Sequence, residues 1–333
     1  MSGAIEESGR SSRVPQRVLG RTGLQVSCLA FGAGPVSGLM TGGNLESQSE
    51  TLRTLYDSGI NWIDTAAGYG NGSSERSIGR VLAMLPIEVS REFHVATKVR
   101  IDFSSSLSFA DQVRFSVDAS LQRLQVPKVR LLQLHNGVTV QRNDQPSSVG
   151  IADVLDSGGI LDALKRVQVE GKADFLGLTG TGAAEQMRAV VNTREFDTIQ
   201  VPFNLINPSA GRPVANDFVE QNYGNILEDC RFAGMGCFAI RVFAGGALLQ
   251  QPPSDHTLKT PYFPLDLYCR DLERAARLEN GVSGAGLLGG ATLLQQSIEF
   301  ALFHPAIHSA IIGFGTPEHV VDAVRALNRI YSH

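Results

Sequence analysis

Four residues in the first half of the chain, Asp64, Tyr69, Lys98 and His135, carry side chains that together could move a proton to or from a carbonyl oxygen. A phenol is a weak acid, with an ordinary pKa of about 10, so Tyr69 alone would give up its proton reluctantly near neutrality. An ammonium such as that of Lys98 beside it favours the phenolate, and a carboxylate such as Asp64 would fix the lysine. A neutral imidazole, here His135, can donate a hydrogen bond to a carbonyl oxygen as charge develops on it. The set describes a proton donor for carbonyl reduction, a reaction that also needs a source of hydride. Taken singly, each residue has a plainer use. Asp64 can cap a turn, Tyr69 can pack, Lys98 can end an exposed strand, and His135 can be a core histidine after Leu131-Leu132-Gln133-Leu134. The chemistry requires all four in one place, so the elements around them must bring that about.

Short β-rich segments recur along the chain with helical segments between them. The candidates are Cys28–Gly34, Trp62–Asp64, His94–Lys98, Val129–Leu134, Phe175–Thr179, Thr198–Val201, Gly236–Ile240 and Ala310–Ile312. Most are about 30 residues apart, the size of a βαβ repeat. The intervening segments show a helical apolar period: Ile78, Val81, Leu82 and Leu85 after the potential caps Ser73 and Ser74, then Val113, Val117, Leu121 and Leu124, and finally Val320, Val324 and Leu327. Eight strands alternating with helices predict a single (β/α)8 barrel over residues 17–333, whose strand C-terminal ends converge on one site. Asp64, Lys98 and His135 all fall at such ends. A hairpin with Gly20-Arg21-Thr22-Gly23 as its turn precedes the first unit and is placed to cover the barrel's bottom. Residues 1–16, polar and serine-rich, read as a disordered leader without a signal peptide's apolar core. The one long break in the rhythm runs from Gly245 to about Gly290, with helix expected near Leu265–Leu278. A loop of that length after the seventh strand is expected to serve the active face.

The composition narrows the class of function. The 333 residues are 43% hydrophobic and 19% charged, with a net charge of −4, so no general attraction to nucleic acid or to an acidic membrane is implied. No apolar run reaches the roughly 18 residues of a membrane span. Cys28, Cys230, Cys237 and Cys269 show neither Cys-x-x-Cys pairing nor zinc spacing, which reads as reduced thiols in a cytoplasmic protein without a metal site. Gly284-Ala-Gly286-Leu-Leu-Gly289 matches a dinucleotide-binding string, but no strand precedes it, so it reads as loop punctuation. Gly313-Phe314-Gly315-Thr316-Pro317-Glu318 is the better phosphate site: Thr316 can cap the last helix, Pro317 can start it, and its first N–H groups would face an anion.

The segments Asn61-Trp62-Ile63-Asp64-Thr65-Ala66-Ala67-Gly68-Tyr69-Gly70, Val95-Ala96-Thr97-Lys98 and Leu131-Leu132-Gln133-Leu134-His135-Asn136 resemble signature blocks of the aldo-keto reductase family. So do Val18–Leu24 and Ser74-Glu75-Arg76-Ser77-Ile78-Gly79, and the similarity extends from Arg17 to Tyr331. The resemblance implies an NAD(P)-dependent oxidoreductase acting on a small aldehyde, ketone or aldose. In it Tyr69 is the general acid, Lys98 and Asp64 tune it, and His135 orients the carbonyl. It also places Gly32, Ala33, Asp64, Thr179, Gln200, Ile240, Arg241, Phe243, Gly313, Gly315, Thr316 and His319 at the cofactor, and Phe31, Trp62, Asn136 and Phe203 around the substrate.

The cofactor region departs from the family pattern. Thr179-Gly180 stands where Ser-Asn is usual, and Ile240 or Arg241 stands where an aromatic ring is usual. No lysine or arginine lies between Gly313 and Ala323 to grip the 2′-phosphate of NADP, which sets NAD beside NADP as the expected cofactor. The run Ala239–Gly246 resembles the sugar-dehydrogenase branch. Two other readings use the same barrel: a cofactor-sensing regulatory subunit, as in channel β-subunits, or an interaction protein that has lost its cofactor contacts.

Overall fold

The computed structural model describes residues 13–279 and 292–331. A hairpin opens the fold, with β1 (Gln16–Val18) antiparallel to β2 (Gln25–Ser27) across a turn at Gly20–Thr22. The barrel strands follow as β3 (Leu29–Gly32), β4 (Trp62–Asp64), β5 (His94–Val99) and β6 (Val129–Leu134). A short ladder of β7 (Val138–Thr139) and β8 (Val149–Gly150) lies between them and β9 (Ala173–Thr179), β10 (Thr198–Pro202), β11 (Gly236–Ile240) and β12 (Ser309–Ile312). The barrel closes in the order β3-β4-β5-β6-β9-β10-β11-β12, with β12 back on β3. This is the (β/α)8 barrel that the strand rhythm predicts, and each expected strand lies within a residue or two of its place.

Alternation along the strands sorts side chains into two layers. Leu29, Phe31, Val99, Leu132 and Leu134 face outward to the helices, whereas Ala30, Trp62, Ala96, Leu131 and Phe238 fill the barrel. Leu19 and Val26 of the hairpin join the inner set, so the hairpin closes the bottom. The helices bury the apolar stripes read from the sequence: Ile78, Val81 and Leu82 on Ser73–Met84, Val113, Val117 and Leu124 on Phe109–Leu124, and Val320, Val324 and Leu327 on Pro317–Tyr331. The first two of these cross at Gly79, where a Cβ would lie 2.5 Å from the Arg123 carbonyl oxygen, so glycine sets the approach.

Two expectations change. Ser73 and Ser74 do not cap their helix; the N-cap is Gly72, and the Ser74 hydroxyl instead donates to the Ala33 carbonyl at 2.8 Å. Residues 13–16 belong to the fold: Val14 is buried, its N–H donates to the Ser58 carbonyl at 2.9 Å, and β1 starts at Gln16. Residues 1–12 of the expected leader, and the glycine-rich stretch Gly284–Gly289, lie outside the described residues. The break after β11 contains a short 3-10 segment, Ala244–Leu249, and the expected helix, Leu265–Glu279. Among the described residues no helix is long and apolar enough to cross a membrane.

Candidate active site

Parallel pairing carries β4, β5 and β6 side by side, with Asp64 opposite Ala96 and Lys98 opposite Gln133. Asp64, Lys98 and Gln133 all point into the barrel near its C-terminal end. The Lys98 Nζ donates to Asp64 Oδ2 at 2.5 Å, to the Thr65 carbonyl at 2.9 Å and to the Tyr69 hydroxyl at 3.3 Å. Its three hydrogens are thereby matched to three acceptors, which fixes the ammonium under the phenol. Lys98 and Asp64 are both buried. Burial alone would pull the lysine pKa down, but Asp64 and Tyr69 outweigh it, so the pKa rises and the ammonium stays charged.

Asp64 is held from its other oxygen as well. Oδ1 accepts from Gln133 Nε2 at 3.1 Å and from Gln200 Nε2 at 2.5 Å. Gln133 was not singled out from the sequence, although a glutamine inside the run Leu131–Leu134, two residues from His135 and so on its face, was a readable signal. Gln200 was expected at the cofactor; its amide nitrogen is instead engaged with Asp64.

Tyr69 sits in a loop that folds back on itself, its N–H bonded to the Ala66 carbonyl at 3.1 Å. Behind it, buried Glu75 accepts from the Thr97 hydroxyl at 2.5 Å and pairs with Arg123 at 2.6 Å, tying the following helix to the strand that carries Lys98. His135 meets the Tyr69 ring edge-on, with centroids 5.7 Å apart. Burial, with the charges of Lys98 and Arg100, drives the imidazole pKa well below its ordinary value. A neutral imidazole beside a phenol backed by an ammonium can donate to a carbonyl oxygen while the phenol transfers a proton. The four residues expected to act together are therefore joined in one chain of contacts, Asp64 to Lys98 to Tyr69 to His135.

The expected cofactor residues divide. Thr179 ends β9 with a buried hydroxyl that has no hydrogen-bond partner among the described residues. Ile240 faces the barrel's interior at the end of β11. Gly180 has no room for the asparagine usual there, because a Cβ would lie 2.8 Å from Val201 Cγ1. Gly32 is likewise a packing glycine, its Cβ position 2.9 Å from Ile311 Cγ2, and the Ala33 N–H and C=O hold the Asp64 carbonyl and Ser74. Arg241 is turned away: it pairs with Asp271 at 3.0 Å and stacks over Phe263 at 4.1 Å, both in the long segment after β11. Phe243 packs against the outer core, and its carbonyl accepts from Gly246 and Leu248. At the end of β12, Gly313 and Gly315 lie against Ser37, and Pro317 begins the last helix. There His319 Nδ1 accepts the Gly315 N–H at 3.2 Å, and the Thr316 hydroxyl is bonded to Glu318, whose pKa it lowers.

Three of the expected substrate residues lie away from the mouth: Phe31 and Phe203 because strand alternation has a phase that spacing alone does not fix, and Trp62 because it opens its strand. Phe31 faces the helix layer and stacks on Phe314 at 6.0 Å. Trp62 lies deep in the barrel against Phe238, centroids 4.9 Å apart, next to the hairpin plug. Phe203 packs outside the barrel on Phe300 and His304. Asn136 lies at the right end but its amide is engaged with backbone: Oδ1 accepts from Ile101 N at 2.8 Å, and Nδ2 donates to Ile101 and Ser147 carbonyls. It braces the loops after β5 and β6. Across that end comes Tyr262 of the long segment, which bonds Ser147 Oγ at 3.0 Å and the Arg100 guanidinium. Arg100, Tyr262 and Ser147 had no local signal in the sequence.

Comparison with known proteins agrees with this geometry. The Aldo/keto reductase family model matches residues 29–332. The chain is 26% identical to L-galactose dehydrogenase of Arabidopsis thaliana, over 96% of this chain and 90% of that protein. It is 28% identical to a candidate voltage-gated potassium channel subunit beta of Schizosaccharomyces pombe, over 95% and 89%. Among solved structures, the holo form of an aldo-keto reductase from Bacillus halodurans superposes with a TM-score of 0.68 at 18% identity, covering 95% of this chain and 91% of that one. At that identity the superposition speaks to the fold alone.

Proposed function

Because the chain belongs to the aldo/keto reductase family, an oxidoreductase family, we propose that it interconverts a small aldehyde, ketone or aldose with its reduced or oxidised partner, using NAD(H) or NADP(H). The observation that carries this reading is the Lys98 ammonium 3.3 Å from the Tyr69 hydroxyl and simultaneously bonded to Asp64. Hydride transfer is the chemistry a nicotinamide dinucleotide supplies when bound. The residues present fit such a group: the unpartnered Thr179 hydroxyl, the inward Ile240 and the glycine-bearing turn Gly313–Gly315 would hold it.

In reduction, the substrate carbonyl lies between Tyr69 and His135. His135, neutral because of its buried and cationic surroundings, donates a hydrogen bond to the oxygen. Tyr69 gives its proton to that oxygen, and the nearby ammonium stabilises the charge left on the phenolate. Asp64, gripped by Lys98, Gln133 and Gln200, keeps the ammonium in place and charged. In oxidation the same phenolate takes the proton back. L-galactose dehydrogenase among the relatives favours an aldose over other carbonyl compounds. The channel-subunit relative favours a second reading, a cofactor-sensing regulatory subunit. A panel of aldehydes and aldoses, tried with both cofactors, tests the proposal. Steady-state turnover of at least one is expected, whereas cofactor binding without turnover of any would replace it with the regulatory reading.

A further inference from the structure

Tyr262 and Phe263 are consecutive residues of the segment after β11, and each lies under a guanidinium at the barrel mouth. Arg241 stacks over Phe263 at 4.1 Å and Arg100 over Tyr262 at 4.4 Å. The two arginines differ in one respect. Arg241 is neutralised by buried Asp271 at 3.0 Å. Arg100 makes no ion pair among the described residues; the only polar partner shown for its guanidinium is the Tyr262 hydroxyl, which leaves most of its five N–H donors for something else.

Its position says what that is. Lys98 faces into the barrel, Val99 packs in the outer core, and Arg100 follows directly after β5, at the same end of the barrel as the ammonium. The register of β5 on β6 sets Val99 opposite Leu134, and the His135 N–H bonds the Val99 carbonyl at 2.8 Å, so Arg100 stands beside His135. Its charge is felt there, as one of the influences that keep the imidazole neutral. A cation without a counterion, next to the group that would receive the carbonyl oxygen, is an incomplete pair. An anionic group on the substrate would complete it, bidentately where the group is a carboxylate or phosphate.

We propose that Arg100 is a specificity-determining residue that selects carbonyl substrates carrying a carboxylate or a phosphate, with Tyr262 holding its guanidinium over the mouth. The inference rests on the proposed function, because it takes the Tyr69–His135 pair as the place of the carbonyl. Two substrate pairs that differ mainly in charge test it: 4-carboxybenzaldehyde against methyl 4-formylbenzoate, and glyceraldehyde 3-phosphate against glyceraldehyde. In the wild type, kcat/KM is expected to be at least about ten-fold higher for the anionic member of at least one pair, the loss of one charge-assisted contact being a change of that order. Which pair shows the larger ratio tells carboxylate from phosphate. In Arg100→Met that ratio is expected to collapse to near one, mostly through KM, and in Arg100→Lys to recover in part. Wild-type ratios near one in both pairs, with the neutral aldehydes still turned over, would overturn this inference and leave the proposed function standing. So would an equal loss on charged and neutral members in Arg100→Met, which would make the residue a strut for the Tyr262 segment. No turnover of these four or of any other aldehyde or aldose in the panel, with either cofactor, would remove both together.

Discussion

Across the barrel mouth, the β4–β6 side and the β9–β12 side treat their polar side chains in opposite ways. On the first side the buried charges are answered: Lys98 has Asp64, Thr65 and Tyr69, Asp64 has Gln133 and Gln200, and Glu75 has Thr97 and Arg123. Charged groups held this closely keep one geometry, which proton transfer over a few ångströms demands, even though Gln133 Oε1 has no partner among the described residues. On the second side Thr179 has a hydroxyl without a partner among the described residues, Arg241 is drawn off to Asp271, and His319 uses Nδ1 on the Gly315 N–H. Under the proposed function this is the side that would receive the cofactor, and the stretch from Gly313 to Ala323 carries no lysine or arginine for a 2′-phosphate. The contrast teaches that the proposed proton relay and the proposed cofactor preference rest on separate sides of the barrel.

Breaking the satisfied side should have the largest effect. Lys98→Met removes the charge under the phenol and strands buried Asp64, so turnover should fall by about 10²–10⁴-fold. The fold should lose about 3–5 kcal/mol, as expected when one partner of a buried pair is deleted. Steady-state kinetics and urea unfolding measure the two. A variant within ten-fold of wild-type turnover would show that the ammonium is not part of the relay.

The open side is tested by cofactor affinity. With no lysine or arginine between Gly313 and Ala323, and with Glu318 at the start of the last helix, one charge-assisted contact worth on the order of 1.5–3 kcal/mol is missing for a 2′-phosphate. NADH is therefore expected to bind as tightly as NADPH or more tightly, read by fluorescence titration. A hundred-fold preference for NADPH would mean that a cation from elsewhere reaches the phosphate.

The unequal reach of sequence reasoning follows the same division. The Asp64, Lys98 and His135 positions were legible because each ends a short apolar strand, and strand ends converge in a barrel. Tyr69 was legible from its place in the loop just after. The facing of Phe31 and Phe203 was not, since a β-strand read without its neighbours has no fixed inside, and Trp62 faces inward but opens its strand, at the hairpin end of the barrel. Nor was the pairing of Arg241 with Asp271, or of Arg100 with Tyr262: partners 30 and 162 residues apart meet only through the closed barrel and the long segment above it.

A smaller effect separates the two sides by pH. His94, at the foot of β5, is held down to a pKa of about 4 by burial and by Arg130. The unfolded chain takes up a proton there near 6.5 that the folded one refuses until about 4, so stability falls as pH falls through that window, by about 2 kcal/mol after allowing for its exposed edge. Asp271 runs the other way. Burial raises it to about 6 despite Arg241 and Arg274, so its contribution is fullest at acid pH and is lost as pH rises from about 4 to 6. His94→Gln should flatten the acid loss seen by urea unfolding at pH 4.5 and 7, and Asp271→Asn should steepen it. The same slope in both variants and the wild type would contradict these assignments.

The central claim is that Tyr69 delivers the proton while other residues hold the cofactor, and Tyr69→Phe tests it with the least disturbance. The substitution keeps the ring that meets His135 and removes only the hydroxyl bonded to Lys98. Turnover of the best substrate should fall by at least about 10²-fold, while the dissociation constant of the reduced cofactor changes by less than about three-fold. Near-normal turnover in this variant would contradict the account.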